Sequence, residues 1–102
     1  DIDVLLAPTR YDVAPKVSEP LIHPASGDPA IEAPRGLHGL IPAGNLAGLP
    51  AISLPCGFAQ NLPIAISLCT RPFNENMLLR LGNEFQARTD WHKRRPPVDA
   101  GA

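Results

Sequence analysis

Proline spacing constrains this chain more than any other feature. Thirteen prolines fall in 102 residues, about two to three times average usage. Each removes a backbone donor and fixes φ, so none suits a helix interior or a central strand. Pro15, Pro20, Pro24, Pro29 and Pro34 follow one another too closely for an element of ordinary length between them. Residues 10–35 are therefore expected to form a proline-rich loop, with Ser26-Gly27-Asp28 as a turn. So long a connection is unusual inside a compact domain. It suits a piece of a larger protein whose loops lie on surfaces supplied elsewhere.

Between the prolines lie short apolar runs. Ala51 to Leu54 is uncharged and bounded by Pro50 and Pro55, which reads as a buried strand. Upstream, Gly39, Gly44 and Gly48 alternate with small and apolar residues, which reads as a short glycine-rich helix stopped at Gly48. Asp3 to Ala7, followed by Pro8-Thr9, is a continuous apolar run of the kind found in parallel strands buried on both faces. Ile64 to Cys69 alternates: Ile64, Ile66 and Leu68 on one face, Ala65, Ser67 and Cys69 on the other. The small-residue face invites a closely packed layer. Strand, short loop and strand make a hairpin, with the turn expected near Ala59-Gln60. That register sets Cys56 opposite Pro63 and Cys69 opposite Pro50, too far apart for a disulfide.

Asn74 is expected to cap a helix over residues 75–88, with Glu75 in its first turn. Leu78, Leu81 and Phe85 form its apolar stripe, flanked by Met77. Gly82 inside the stripe permits close approach to a sheet. Arg80 with Glu84, and Glu84 with Arg88, are spaced for ion pairs on the wet side. Trp91 reads as a packing anchor, Pro96-Pro97 as a stop, and residues 98–102 as a frayed tail. The fold class is α/β.

The net charge of −1 gives no electrostatic footprint for nucleic acid. The one basic cluster, His92-Lys93-Arg94-Arg95, is short and near the end of the chain. No apolar run reaches membrane-spanning length, and two cysteines do not make a disulfide scaffold. His23 and His92 have no metal-ligand spacing to Cys56 or Cys69. Neither a metal nor a cofactor is expected. Ser18, Ser26, Ser53 and Ser67 are isolated, and Lys16 and Lys93 have no serine partner within a glycine-rich segment. No catalytic residue is assigned.

Four blocks together resemble the C-terminal part of the amidase signature family of serine hydrolases. They are Asp3-Val4-Leu5-Leu6-Ala7-Pro8-Thr9; Asn45 to Phe58; Leu62-Pro63-Ile64 continuing to Arg71-Pro72-Phe73; and the last helix with Asp90-Trp91-His92 and Arg94-Arg95-Pro96. Their order and spacing cover most of the chain. The resemblance implies a three-layer α/β/α fold around a mixed sheet, of which residues 1–102 would be the C-terminal portion, with a hairpin and a C-terminal helix. It implies hydrolysis of amides, or ammonia transfer from them, by two serines and a lysine in a glycine- and serine-rich segment. Nothing here matches that segment, so the chain alone is expected to be inactive. Ala65, Ser67 and Thr70 depart from the family's usual Gly, Gln and Gly, but all are small.

The candidate substrate-binding residues are Thr9, His38, Ile41 and Asn45. Thr9 follows a strand's C-terminal end, where α/β proteins place ligand contacts; a turn-stabilising hydroxyl is the alternative. His38 stands where the resemblance places an acidic residue in glutamine-using tRNA amidotransferases, which would hold the substrate's amino group. Histidine cannot make that ion pair, which favours a general amidase. A helix-end histidine bonded to backbone is the alternative. The expected partner is a small-molecule amide in the full-length protein, with no nucleic acid directly and no membrane, and the expected location is cytoplasmic. Self-association through exposed sheet is expected, and a stand-alone, non-catalytic module derived from an amidase is the competing reading.

Overall fold

The structure, a computed structural model, describes residues 1–10, 13–14, 16–18 and 41–98. Most of the expected loop over residues 10–35 and the tail over residues 99–102 lie outside them, as do His23 and His38. The elements in order are β1 (Val4–Pro8), α1 (Ile41–Ala47), β2 (Ala51–Ala59), β3 (Leu62–Thr70), α2 (Glu75–Arg88) and a 3-10 turn at Trp91–Lys93.

The three strands form one antiparallel sheet in the order β1-β3-β2. Side chains opposite one another share a face, so the register sorts the sheet. Val4, Leu6, Ile52, Leu54, Ile66, Leu68 and Thr70 fall on one side; Leu5, Ala7, Ala51, Ser53, Ala65, Ser67 and Cys69 fall on the other. The first face carries the core: buried Leu54, Leu68 and Leu78, with Val4, Ile52, Ile66 and Phe85 packed around them.

Helix α2 covers that face. A Cβ placed on Gly82 would lie 3.1 Å from Ile52 Cδ1 and 3.5 Å from Leu54 Cδ2, so glycine sets the helix–sheet distance. The stripe against the sheet is buried Leu78 and Gly82 with half-buried Phe85, not the expected Leu78, Leu81 and Phe85. Leu81 stays 37% exposed, because the i, i+4 spacing to Gly82 lies over the sheet and Leu81 falls on its flank. Asn74 takes the N-cap position, but its side chain does not cap. It donates to Thr70 Oγ1 at 3.2 Å, and Thr70 Oγ1 in turn donates to the Asp3 carbonyl at 2.8 Å. This relay ties the starts of β1 and α2 to the end of β3. Of the two expected ion pairs along the helix, Glu84–Arg88 forms, at 3.2 Å.

Helix α1 lies on the opposite face. A Cβ on Gly44 would be 3.8 Å from Cys69 Sγ, so this short helix approaches the small-residue side of β3. Gly48 ends it as expected, with φ +68°. The Gly48 N–H bonds to the Asn45 carbonyl and the Leu49 N–H to the Gly44 carbonyl, the paired bonds of a Schellman motif. The two helices thus lie on opposite sides of the sheet, although α1 buries no residue against it. Trp91 anchors the far end as expected, its ring centroid 6.2 Å from that of Phe58 on β2.

Two further expectations fail. Strand β1 is antiparallel to β3 and, among the described residues, lies at the sheet edge, with Leu5 44% and Leu6 67% exposed. A continuous apolar run signals two apolar faces; it carries no information on strand direction or on what covers those faces. The hairpin turn is Gln60-Asn61, one residue later than expected, with φ of 52° and 61°. Two successive left-handed residues make the tight turn whose twist matches the flanking strands. Phe58 faces Pro63, Ala51 faces Cys69, and Cys56 is the extra residue of a bulge between Pro55 and Gly57.

Both thiols remain free. Cys56 sits level with Ile64 and Ala65, several residues along β3 from Cys69, or roughly 15 Å. Alkylation of the unreduced, unfolded chain should therefore label both cysteines of each monomer. An intramolecular Cys56–Cys69 peptide would contradict the register.

Candidate functional site

Sequence reasoning singles out Thr9, and the structure gives its hydroxyl two partners. Thr9 Oγ1 lies 2.8 Å from Ser67 Oγ and 3.0 Å from Ser53 Oγ. One hydroxyl thus joins groups from both arms of the hairpin at the end of β1. The local cause is the ladder: the Thr9 N–H bonds to the Ala65 carbonyl at 2.9 Å, which holds the residue over the small face of β3. Ser53 and Ser67 face each other directly across β2 and β3. Small neighbours, Ala7, Ala51 and Ala65, leave room for three hydroxyls to converge. Ser67 is buried, Thr9 half-buried and Ser53 exposed.

The trio is polar, and its described hydrogen bonds run among its own three hydroxyls. A serine nucleophile needs a base within hydrogen-bond reach; the bonds described for these hydroxyls are Thr9 to Ser53 and Thr9 to Ser67. Lys93 pairs with Asp90 at 3.1 Å, beyond α2. Three hydroxyls sharing two hydrogen bonds keep one O–H and several lone pairs for another group. Such a set can orient a neutral polar group; it cannot activate a nucleophile.

Pro8 and Arg10, on either side of Thr9, line an open pocket of about 350 Å³ with Cys56, Gln60, Ile64 and Ala65. Its walls are mostly apolar, and Arg10 is the charged residue among the described lining residues. Among the described residues no cluster of three His, Cys, Asp or Glu could hold a metal ion. No helix there is long and apolar enough to cross a membrane. His92 Nδ1 is buried without a hydrogen-bond partner among those residues, but it lies in the 3-10 turn and not at the trio.

The other candidates fall elsewhere. Ile41 opens α1 and is 41% exposed; Asn45 is exposed on the same helix, its carbonyl used in the helix stop. Helix α1 and the trio share the small-residue face, but no contact joins Ile41 or Asn45 to Thr9. His38 lies outside the described residues. Sequence reasoning treats Ser53 and Ser67 as isolated serines and misses them as partners of Thr9. The available signal is strand alternation, which puts Ser67 on the small face and Ser53 between two core residues.

Replacing Thr9 with valine keeps the shape and removes both hydrogen bonds, leaving the buried Ser67 hydroxyl short of a partner. The expected cost is about 1–3 kcal/mol in urea unfolding. Thr9→Ser should recover most of it, and a valine variant as stable as the parent would show that the trio holds nothing together.

A family model described as "Amidase" matches residues 1–79. The chain is 44% identical over 98 residues to the A subunit of the glutamyl-tRNA(Gln) amidotransferase from Hahella chejuensis, covering 96% of this chain and 19% of that protein. It is 37% identical over 102 residues to the protein of the same name from Chloroflexus aggregans, again 96% of this chain and 19% of the relative. Over a shorter 54-residue stretch it is 56% identical to that of Roseiflexus castenholzii, 53% of this chain and 11% of the relative. The chain thus spans about one fifth of the length of the first two relatives. No solved structure matches it.

Proposed function

This chain belongs to the amidase family, and we propose that it is the C-terminal portion of an amide-hydrolysing member, inactive by itself. In this reading it contributes three strands of the sheet, the covering helix α2 and one wall of the substrate pocket. The observation that carries it is the family match over residues 1–79 together with relatives of which this chain spans about one fifth. Thr9, Ser53 and Ser67 converge as a polar patch whose described hydrogen bonds run among the three hydroxyls. The substrate of the full-length protein is then a small-molecule amide. Thr9 is the wall residue best supported, because its neighbours Pro8 and Arg10 line the open pocket. Ile41, Asn45 and His38 are proposed as further wall residues on or near α1. A cytoplasmic location goes with this reading, and the free thiols of Cys56 and Cys69 suit a reducing compartment.

A second reading is favoured by the relatives' own names: the full-length protein would be the A component of an amidotransferase, taking ammonia from glutamine for a tRNA-linked acceptor. Position 38 separates the two. A carboxylate there could pair with the amino group of free glutamine; His38 could not. The test uses the protein expressed from its full reading frame. Hydrolysis of a simple aryl amide by the long form, with no hydrolysis by the 102-residue chain, supports the amidase reading. Hydrolysis of glutamine in preference to the aryl amide supports the second, and no amide hydrolysis by the long form overturns both.

A further inference from the structure

Among the described residues, three other than glycine take a positive φ: Gln60, Asn61 and Phe73. The first two are polar and make the hairpin turn. Phe73, at φ 65°, is a bulky aromatic in a conformation that costs an L-residue free energy and that glycine or asparagine takes most easily. Its turn explains the conformation. The Asn74 N–H bonds to the Arg71 carbonyl at 3.3 Å, so Arg71 to Asn74 is a tight turn with Pro72 second and Phe73 third. Proline in second place and positive φ in third mark a type II turn, whose third place suits glycine. The turn is held from the far side as well. The Asn74 side chain donates to Thr70 Oγ1, Thr70 Oγ1 donates to the Asp3 carbonyl, and the Met77 N–H bonds to the Asn74 carbonyl at 3.1 Å.

The turn thus requires the conformation but not the ring. Glycine would fill the position without strain, and the ring offsets none of the cost here, because Phe73 is 96% exposed. Exposed apolar residues are ordinary. A strained one whose side chain touches almost nothing is not, and strain of this kind persists where the side chain is put to use. Burying the ring would recover more than the left-handed backbone costs.

We propose that Phe73 is an anchor, seated in an apolar recess on the remainder of the full-length chain. The chain spans 19% of each of two relatives to which it is 44% and 37% identical, so most of such a protein lies outside it. That remainder is joined to the turn covalently and meets it at an effective concentration that a separate partner does not match. The inference rests on the reading above only in taking this chain as part of a longer one, and not on the chemistry given to the whole.

Phe73→Asp tests this by a change of sign between two lengths of chain. Aspartate tolerates the left-handed backbone and stands just ahead of α2, where a negative charge is favourable. In urea unfolding of the 102-residue chain the variant should be as stable as the parent or more so, by up to about 5-fold in the folding equilibrium constant. In the protein expressed from its full reading frame the same change puts a charge into the recess. The half-life of its circular dichroism signal at a fixed elevated temperature should fall about 10-fold or more. If the long variant does not accumulate in folded form, Phe73→Leu, which keeps an apolar group, should give a folded long form of intermediate half-life. A long Phe73→Asp form that lasts as long as its parent overturns the proposal, since the ring is then exposed there too. So does a loss of stability in the 102-residue variant, since the ring is then already seated within this chain. A long form without amide hydrolysis would count against the proposed chemistry and leave these readouts unchanged.

Discussion

Leu54→Ala is expected to cost about 2–5 kcal/mol and to leave much of the chain unfolded at room temperature. Leu54 is 4% exposed and sits at the centre of the cluster with Leu68 and Leu78. It also lies under Gly82, where the helix comes closest to the sheet. Truncation removes its contacts to helix and strands at once, and the backbone around it is held by ladder bonds and cannot collapse into the gap. A chain this short has little margin to absorb such a loss. Leu6→Ala is the control. Leu6 is on the same sheet face and of the same type, but it is 67% exposed, so its cost should stay within about 0.5 kcal/mol. Urea melts of both variants followed by far-ultraviolet circular dichroism measure the difference. Similar costs at the two positions would mean that α2 does not cover the face as described.

Gly82 should separate two substitutions more sharply than any other position. Alanine gains about 1 kcal/mol of helix propensity. Its Cβ would stand 3.1 Å from Ile52 Cδ1, the free end of a side chain that can rotate away. The net effect should be small. Leucine puts three further carbons into space already held by Ile52 and Leu54, and α2 would have to lift from the sheet. The expected cost is about 3 kcal/mol or more, again read by urea unfolding. A tolerated leucine would show that the helix does not seat on the sheet at this point.

These same residues show what can and cannot be recovered from sequence. The role of Gly82 is legible because a glycine breaking an apolar stripe has few other uses. The hairpin and α2 are legible because their signals are local: two prolines bounding Ala51 to Leu54, alternation from Ile64, and Asn74-Glu75 ahead of Leu78. What fails is whatever depends on a residue distant in sequence. The hairpin register slips because the turn falls one residue late, at Gln60-Asn61, and the bulge at Cys56, which shifts the pairing again beyond it, is a property of two strands together. The side chain of Asn74 leaves its helix because Thr70, tied to Asp3, offers a better acceptor. The direction of β1 is set by β3, more than fifty residues later. The site follows the same rule. Thr9 could be picked out by its place after a strand, but its partners Ser53 and Ser67 lie 44 and 58 residues away, and no local pattern links them.

The central claim is that this chain carries amidase architecture without amidase machinery. Three hydroxyls converge at Thr9, and their described hydrogen bonds run among themselves. Reaction of the purified 102-residue chain with a fluorophosphonate probe, read by intact mass, tests this most directly. The account predicts no stoichiometric adduct on any serine or threonine, and no turnover of a simple aryl amide. Labelling of one hydroxyl in every molecule, at Ser53, Ser67 or elsewhere, with turnover lost when that residue is replaced by alanine, would contradict it.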